Sequence, residues 1–257
     1  MTIPLTELTS RLDDRLETDA YADVDPSANG LQVGPDERSV ERVAFAVDAA
    51  AETIETAVER DADVLVTHHG LSWGGIERVT DRTYDRIAAL IRNDVALYVS
   101  HLPLDGHPEL GNAAGVADVL GLDGCEPFGE LGSVTIGQRG RAAERYDPER
   151  LGEVLATELD VGPGDVRVLD FGPERIEDVA IVTGAGTDHL DEALTVGADA
   201  LVTGEGKGRT YHDAKEAGMN VVLAGHYATE TFGVRSLQEA VEGWGLETTF
   251  IDRPTGL

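Results

Sequence analysis

The sequence predicts an α/β fold built from two pseudo-repeated βαβ-containing halves, each with a mainly parallel mixed sheet and helices on its faces. Three observations carry this expectation: an internal repeat, apolar runs of strand length alternating with helical stretches, and histidines at the ends of those runs. Residues 41–70, ERVAFAVDAAAETIETAVERDADVLVTHHG, align without a gap on residues 177–206, EDVAIVTGAGTDHLDEALTVGADALVTGEG, with eleven of the thirty positions identical. Each copy reads as a short β-branched run, a helical stretch, and an apolar run that closes on Thr67-His68-His69-Gly70 or Thr203-Gly204-Glu205-Gly206. Strands alternating with helices point to parallel pairing with covered sheet faces.

The repeat resumes further on. Val95 to His101 is an apolar strand ending in histidine, and Asn220 to His226 is its counterpart; four residues after each histidine comes a carboxylate, Asp105 and Glu230. Between the copies, Val134-Thr135-Ile136 reads as a strand and Pro148–Leu159 as a helix with proline near its start. The Val161-Gly162-Pro163-Gly164 turn then leads into Val166 to Leu169. This interval is too short for a domain of its own. The expected organisation is a first half over residues 1–130, a second over 131–257, and no inserted third domain.

A hydrophobic content of 41% excludes wholesale disorder, and the apolar runs fall far short of the roughly 20 residues of a membrane-spanning helix. Glu7, Arg11, Asp13 and Asp14 interrupt the first residues, unlike a signal peptide; a cytosolic protein is expected. Cys125, the single cysteine, makes neither an internal disulfide nor a thiolate cluster. Acidic residues number 49 against 20 basic ones, for a net charge of −29, and only Lys207 and Lys215 are lysine. Spread through the whole chain, the excess reads as adaptation to a salty, halophilic cytosol where charge is screened. With no basic stripe, it argues against nucleic-acid binding.

Four of the seven histidines, His68, His69, His101 and His226, end apolar strands, and in open α/β sheets ligands gather just outside the carboxyl ends of strands. Neighbouring histidines point to opposite sides of an extended strand, so His68 and His69 are expected in a loop leaving it. Imidazole with carboxylate and no thiol suits Zn, Fe, Mn or a similar divalent ion. Six such side chains exceed the needs of one ion, so two ions about 3.5–4 Å apart account for the number better. Such a pair lowers the pKa of a bridging water and supplies hydroxide as a nucleophile.

Asn29-Gly30-Leu31-Gln32-Val33-Gly34, Thr67-His68-His69-Gly70-Leu71-Ser72-Trp73, Ser100-His101-Leu102-Pro103-Leu104-Asp105 and Gly225-His226-Tyr227-Ala228-Thr229-Glu230 stand in order along nearly the whole chain. Together they resemble the landmark motifs of the GTP cyclohydrolase 1 type 2 homolog family, the Nif-three-like dinuclear metal proteins, in its short form. The resemblance implies a homohexameric toroid with a dinuclear site facing an internal cavity. It carries metal-ligand roles onto His68, His69, Asp105, His226 and Glu230, and places His101 near the site as a further ligand or proton carrier. The second copy has Gly204 and Glu205 where the first has its histidine pair, so metal is expected once, between the halves.

Other residues keep two readings. Lys207 and Arg209 follow a glycine-rich loop that either contacts an anion or is a plain strand-to-helix turn. His212 is either a general acid or base near the cavity or a surface helix histidine. Trp73 is a wall for a stacked substrate or a subunit contact. The functional expectation is a metal-dependent hydrolase of a nucleotide or related small molecule. The alternatives are a non-catalytic, metal-binding hexameric platform and a dinuclear phosphoesterase.

Overall fold

The structure, a computed structural model, describes residues 1–35 and 37–257. The chain opens with β1 (Ile3–Pro4), α1 (Leu5–Leu16), β2 (Gly30–Val33), β3 (Ser39–Val40), β4 (Arg42–Asp48) and α2 (Ala51–Glu59). It continues through β5 (Val64–His69), α3 (Asp81–Arg92), β6 (Ala96–Val99), α4 (Leu102–Gly106) and α5 (Asn112–Val119). There follow β7 (Leu122–Leu131), β8 (Val134–Tyr146), α6 (Pro148–Glu158), β9 (Arg167–Asp170), β10 (Ile176–Ile181) and α7 (Leu190–Thr195). The last elements are β11 (Ala200–Thr203), α8 (Thr210–Ala217), β12 (Asn220–Leu223), α9 (His226–Thr229), α10 (Thr231–Gly243) and β13 (Glu247–Phe250).

These elements form two compact units, one of residues 1–104 with 233–253 and the other of 105–232 with 254–257. The boundary expected at residue 130 instead falls inside the β7–β8 hairpin, whose two-residue turn carries Gly132 at φ +61°. Both units are discontinuous because the end of the chain returns: β13 pairs in parallel with β4, so a strand from the C-terminal region completes the first sheet.

The first unit holds a five-stranded sheet in the order β13-β4-β5-β6-β2. Its first four strands are parallel and β2 is antiparallel. Strand alternation sends Ala44, Ala46, Leu65, Leu97 and Val99 into a core with Ile54 and Ala57 of α2 and Leu90 of α3. On α1, Leu5, Leu8, Leu12 and Leu16 repeat at helical spacing and are buried.

The second unit holds a six-stranded sheet in the order β7-β8-β10-β11-β12-β9. Here parallel pairing is confined to β10-β11-β12, because the long hairpin and β9 pair antiparallel on either side. Both faces are covered: Val179, Ile181, Val202 and Val222 pack with Leu151 and Leu155 of α6. Ala180, Val182, Leu201 and Val221 pack with Leu190 and Ala193 of α7.

The duplication extends to individual hydrogen bonds. Val43 pairs with Val64 across β4–β5 and Val179 with Ala200 across β10–β11, the same register in both copies. The Asp63 carboxylate accepts from the Glu41 and Arg42 N–H groups at 2.8 and 2.9 Å. Its repeat equivalent Asp199 accepts from Glu177 and Asp178 at 2.9 and 3.0 Å. That identity in sequence is thus a shared clamp that ties the start of the first strand to the start of the second.

One expected equivalence shifts. Ser100 N–H donates to Thr67 O and Ala224 N–H to Thr203 O, so by sheet register His101 corresponds to Gly225, and His226 stands one residue later. Gly225, at φ +92°, accommodates the extra residue in a conformation open to glycine, and the chain then turns into α9 with His226 leading it.

Candidate metal centre

In the first unit His68 and His69 are the last two residues of β5 itself, not of a loop beyond it. Their rings nevertheless lie 4.6 Å apart, tilted at 47°, and each keeps a separate anchor. His68 Nδ1 meets Ser100 O at 3.0 Å. His69 Nδ1 meets Asp48 Oδ1 at 2.9 Å, across the β4–β5 register that pairs these residues. His101 Nδ1 meets Asp25 Oδ1 at 2.9 Å. A carbonyl and two carboxylates only accept, so all three Nδ1 atoms carry the proton and Nε2 is left with its lone pair, the usual support of a metal-bound histidine. The three histidines bring ligand atoms within 4.8 Å of one another.

Asp25 is the deepest of these anchors, with a fully buried side chain. Oδ1 accepts from the Ser27 N–H at 2.8 Å as well as from His101, while Oδ2 accepts from Asn29 Nδ2 at 2.8 Å and the Leu102 N–H at 2.9 Å. Burial pushes the carboxyl pKa up, but the hydrogen bonds from His101, Asn29 and the Ser27 N–H outweigh it and hold the group below the ordinary carboxylate range. Asn29 also accepts the His101 N–H at 2.8 Å. The Asn-Gly motif thus serves to fix a histidine 72 residues away.

The second unit supplies a different donor set. Asp105 is 6% and Glu230 2% exposed, and they bring carboxylate oxygens within 4.8 Å of each other. Asp105 Oδ1 accepts from Asn112 Nδ2 at 2.8 Å and Thr183 Oγ1 at 3.0 Å. His226 and Glu230, four residues apart, face one side, with Nε2 and Oε1 separated by 3.1 Å. His226 Nδ1 lies 3.3 Å from Glu205 Oε1. Burial lowers the His226 pKa, but Glu230 and then Glu205 outweigh it and push it up to about 9. Two buried carboxylates this close repel and demand a cation. Gly184 makes room for them: a Cβ there would stand 2.3 Å from Glu230 Oε1 and 3.1 Å from His226 Nε2. The residues of both units therefore fit metal binding, with neutral imidazoles in one and clustered carboxylates in the other.

The remaining candidates lie apart from these sets. Lys207 pairs with Asp188 Oδ2, and Arg209 reaches Asp188 Oδ1 at 2.7 Å; the two cations expected to contact an anion already share a carboxylate. His212 is exposed on α8, its ring edge-on to Tyr211, and belongs to none of the metal-competent groups among the described residues. Asp25, Asp48, Asn112, Thr183 and Glu205 were not singled out as contributors by sequence reasoning. For Asp48 a signal exists: at the repeat offset it corresponds to Gly184, and His69 to Glu205, so both positions border the donors of their own unit.

A duplicated α/β chain with anchored imidazoles at or beyond its strand ends, and paired buried carboxylates on or just after the short helices that follow, defines a protein equipped to bind metal. The chain matches the Duf34/NIF3 (NGG1p interacting factor 3) family over residues 3–256 and belongs to that family. It is 58% identical over 253 residues to the GTP cyclohydrolase 1 type 2 homolog of Halobacterium salinarum, covering 98% of this chain and 99% of that protein. The protein of the same name from Pyrococcus abyssi is 44% identical, with 98% of each chain covered. Among solved structures it is similar to protein ybgI, at a TM-score of 0.91 and 34% identity, covering 99% of this chain and 100% of that one. TTHA1606 of Thermus thermophilus gives 0.88 and 36%, with the same coverage. Among the described residues no helix is long and apolar enough to cross a membrane.

Proposed function

We propose that the chain is a metal-dependent hydrolase of a nucleotide or related small molecule that works through a dinuclear metal centre. The observation that carries this is the anchoring of three clustered imidazoles through Nδ1, by Ser100 O, Asp48 and Asp25, which orients nitrogen lone pairs for metal rather than for the protein. The imidazoles offer neutral nitrogen donors of the kind that hold Zn and similar ions, and Asp105 and Glu230 offer two negative charges that offset the charge of an ion. His68, His69, Asp105, His226 and Glu230 are the assigned ligands. Bound divalent ions would supply Lewis acidity and lower the pKa of a coordinated water. His101, its Nδ1 fixed on Asp25, is the residue placed to take or return a proton at Nε2. The nucleotide class is suggested by the relatives' name, GTP cyclohydrolase 1 type 2 homolog.

The same reading includes the homohexamer and a salty cytoplasm. Exposed Ile76, Val79, Tyr84 and Ile91 offer apolar surface of the kind subunit contacts use. The test begins with elemental analysis of protein from its own host, which should hold about two divalent ions per chain. His68→Ala and Glu230→Ala should each lose at least one, and His189→Ala none. Full metal in the first two variants overturns the ligand assignment. A metal-loaded protein that leaves GTP and a panel of nucleotides and phosphoesters unaltered over hours overturns the hydrolase.

A further inference from the structure

Trp73 is 46% exposed in a chain with only 5% aromatic residues, and the assignments above give it no task. Its ring stands edge-on to His101, with centroids 4.9 Å apart at 82°, and 5.9 Å from His69. The indole therefore sits at the lip of the imidazole cluster, within the same unit. Backbone contacts fix it there: Ser27 and Trp73 form a β-bridge, the Ala28 N–H donates to Ser72 O at 3.2 Å, and the Gly74 N–H to Pro26 O at 2.6 Å. The segment that makes these contacts also provides Asp25 and Asn29, so Trp73 and His101 are set by one frame. Gly74 and Gly75, at φ +70° and +103°, turn the chain away immediately after the ring.

An indole held rigidly at a metal-competent cluster, with much of its surface in water, forgoes apolar burial that a folded chain ordinarily takes. The ligand that would recover it is planar and aromatic. Stacking also suits a protein of net charge −29, whose general field repels anions: a base is gripped through its π face without help from surface cations. We propose that Trp73 is the stacking platform for the base of a nucleotide or nucleoside bound at the imidazole cluster. The proposal rests on the reading that the substrate is of the nucleotide class.

The sequence contains two tryptophans, Trp73 and Trp244, so Trp244→Phe leaves Trp73 as the sole indole reporter. In the metal-loaded full chain, GMP should quench Trp73 emission saturably and ribose 5-phosphate should not. By calorimetry, Trp73→Ala should weaken GMP binding about tenfold or more and leave ribose 5-phosphate binding unaltered. Trp73→Phe should retain most of the affinity, and Trp73→Leu, which keeps apolar bulk without a ring, should behave as the alanine variant. Unchanged GMP affinity in the leucine variant overturns the platform, and nucleotide turnover in the same preparations then leaves the hydrolase standing. Quenching and weakened binding without turnover overturn the hydrolase and keep the platform. Equal loss of GMP and ribose 5-phosphate binding with a fall in oligomer mass makes Trp73 a subunit contact and overturns the proposal.

Discussion

Asp25→Asn changes one atom and should be among the most damaging substitutions in the first unit. The carboxylate is fully buried and accepts four hydrogen bonds, two on each oxygen, from Ser27 N, His101 Nδ1, Asn29 Nδ2 and Leu102 N. An asparagine amide must turn its NH2 toward one of these donor pairs. Two bonds to an ionised acceptor are then forfeited, at about 1.5–3 kcal/mol each, for a total of about 3–6 kcal/mol. One relief exists: His101 can move its proton to Nε2 and accept at Nδ1. That saves one bond but leaves the Ser27 conflict and spoils the lone pair facing the cluster. For a chain of this size the loss corresponds to a fall in thermal midpoint of roughly 6 °C or more. Thermal unfolding in molar KCl, where the surface charge is screened, is the assay, with Asn29→Ala, which removes one donor to the carboxylate, as the milder comparison. The depressed Asp25 pKa sets the sign in acid: its contribution is present above the unfolded carboxyl value of about 3.9 and is lost as pH falls through the lower folded value. The gap between wild type and variant should be constant from pH 5 to 8 and close below about 4. An Asp25→Asn midpoint within about 2 °C of wild type at pH 7 refutes the account of this cluster.

Two further outcomes are expected in the second unit. Gly184→Ala places a Cβ 2.3 Å from Glu230 Oε1 at a backbone φ of +59°. It should cost about 1–2 kcal/mol for the left-handed conformation alone and also displace the carboxylate, so that bound metal falls together with the thermal midpoint; unaltered metal by elemental analysis would contradict the cradle. His226, raised to about 9 in the metal-free chain, contributes stability that is full below about 6.5 and fades as pH rises through 9. Because Nε2 must shed its proton to bind metal, affinity should climb up to tenfold per pH unit between 7 and 9, with proton release in calorimetry; affinity independent of pH rejects the assignment.

Much of this was legible in the sequence, because a gapless repeat constrains register: Val43–Val64 and Val179–Ala200 pair as their common offset requires. The histidines were legible because the ends of strands are where a parallel sheet presents ligands, and Asp105 and Glu230 through their common spacing of four residues from a histidine. The unit boundaries were hidden, since the return of β13 to β4 is a long-range pairing that no local pattern announces. The anchors were hidden for a different reason. Asp25 and Asp48 are two of 49 acidic residues, and nothing local separates a buried carboxylate holding a histidine 76 residues away from one solvated at the surface. The His101–His226 equivalence failed by one residue because sequence similarity does not register the extra turn at Gly225.

The duplicated loops have diverged by exchanging carboxylate and space. In the first copy the acid is the last residue of the first strand, where Asp48 holds His69; the repeat-related position, just beyond the second copy's first strand, is Gly184, emptied so that Glu230 fits. After the following strand the exchange reverses: His69 in the first copy is replaced by Glu205, which lies against His226. Each of these imidazole–carboxylate contacts therefore keeps an acid partner, but the acid stands at the end of the first strand in one copy and beyond the second strand in the other. One unit presents imidazoles whose acids are turned away from the cluster as anchors; the other presents carboxylates directly. Each set suits a divalent ion in its own way: an anchored imidazole keeps a lone pair for metal, and carboxylates that repel one another when buried are relieved by a cation. These few acids are fixed by geometry, and their substitution effects should persist at salt concentrations that screen those of surface acids.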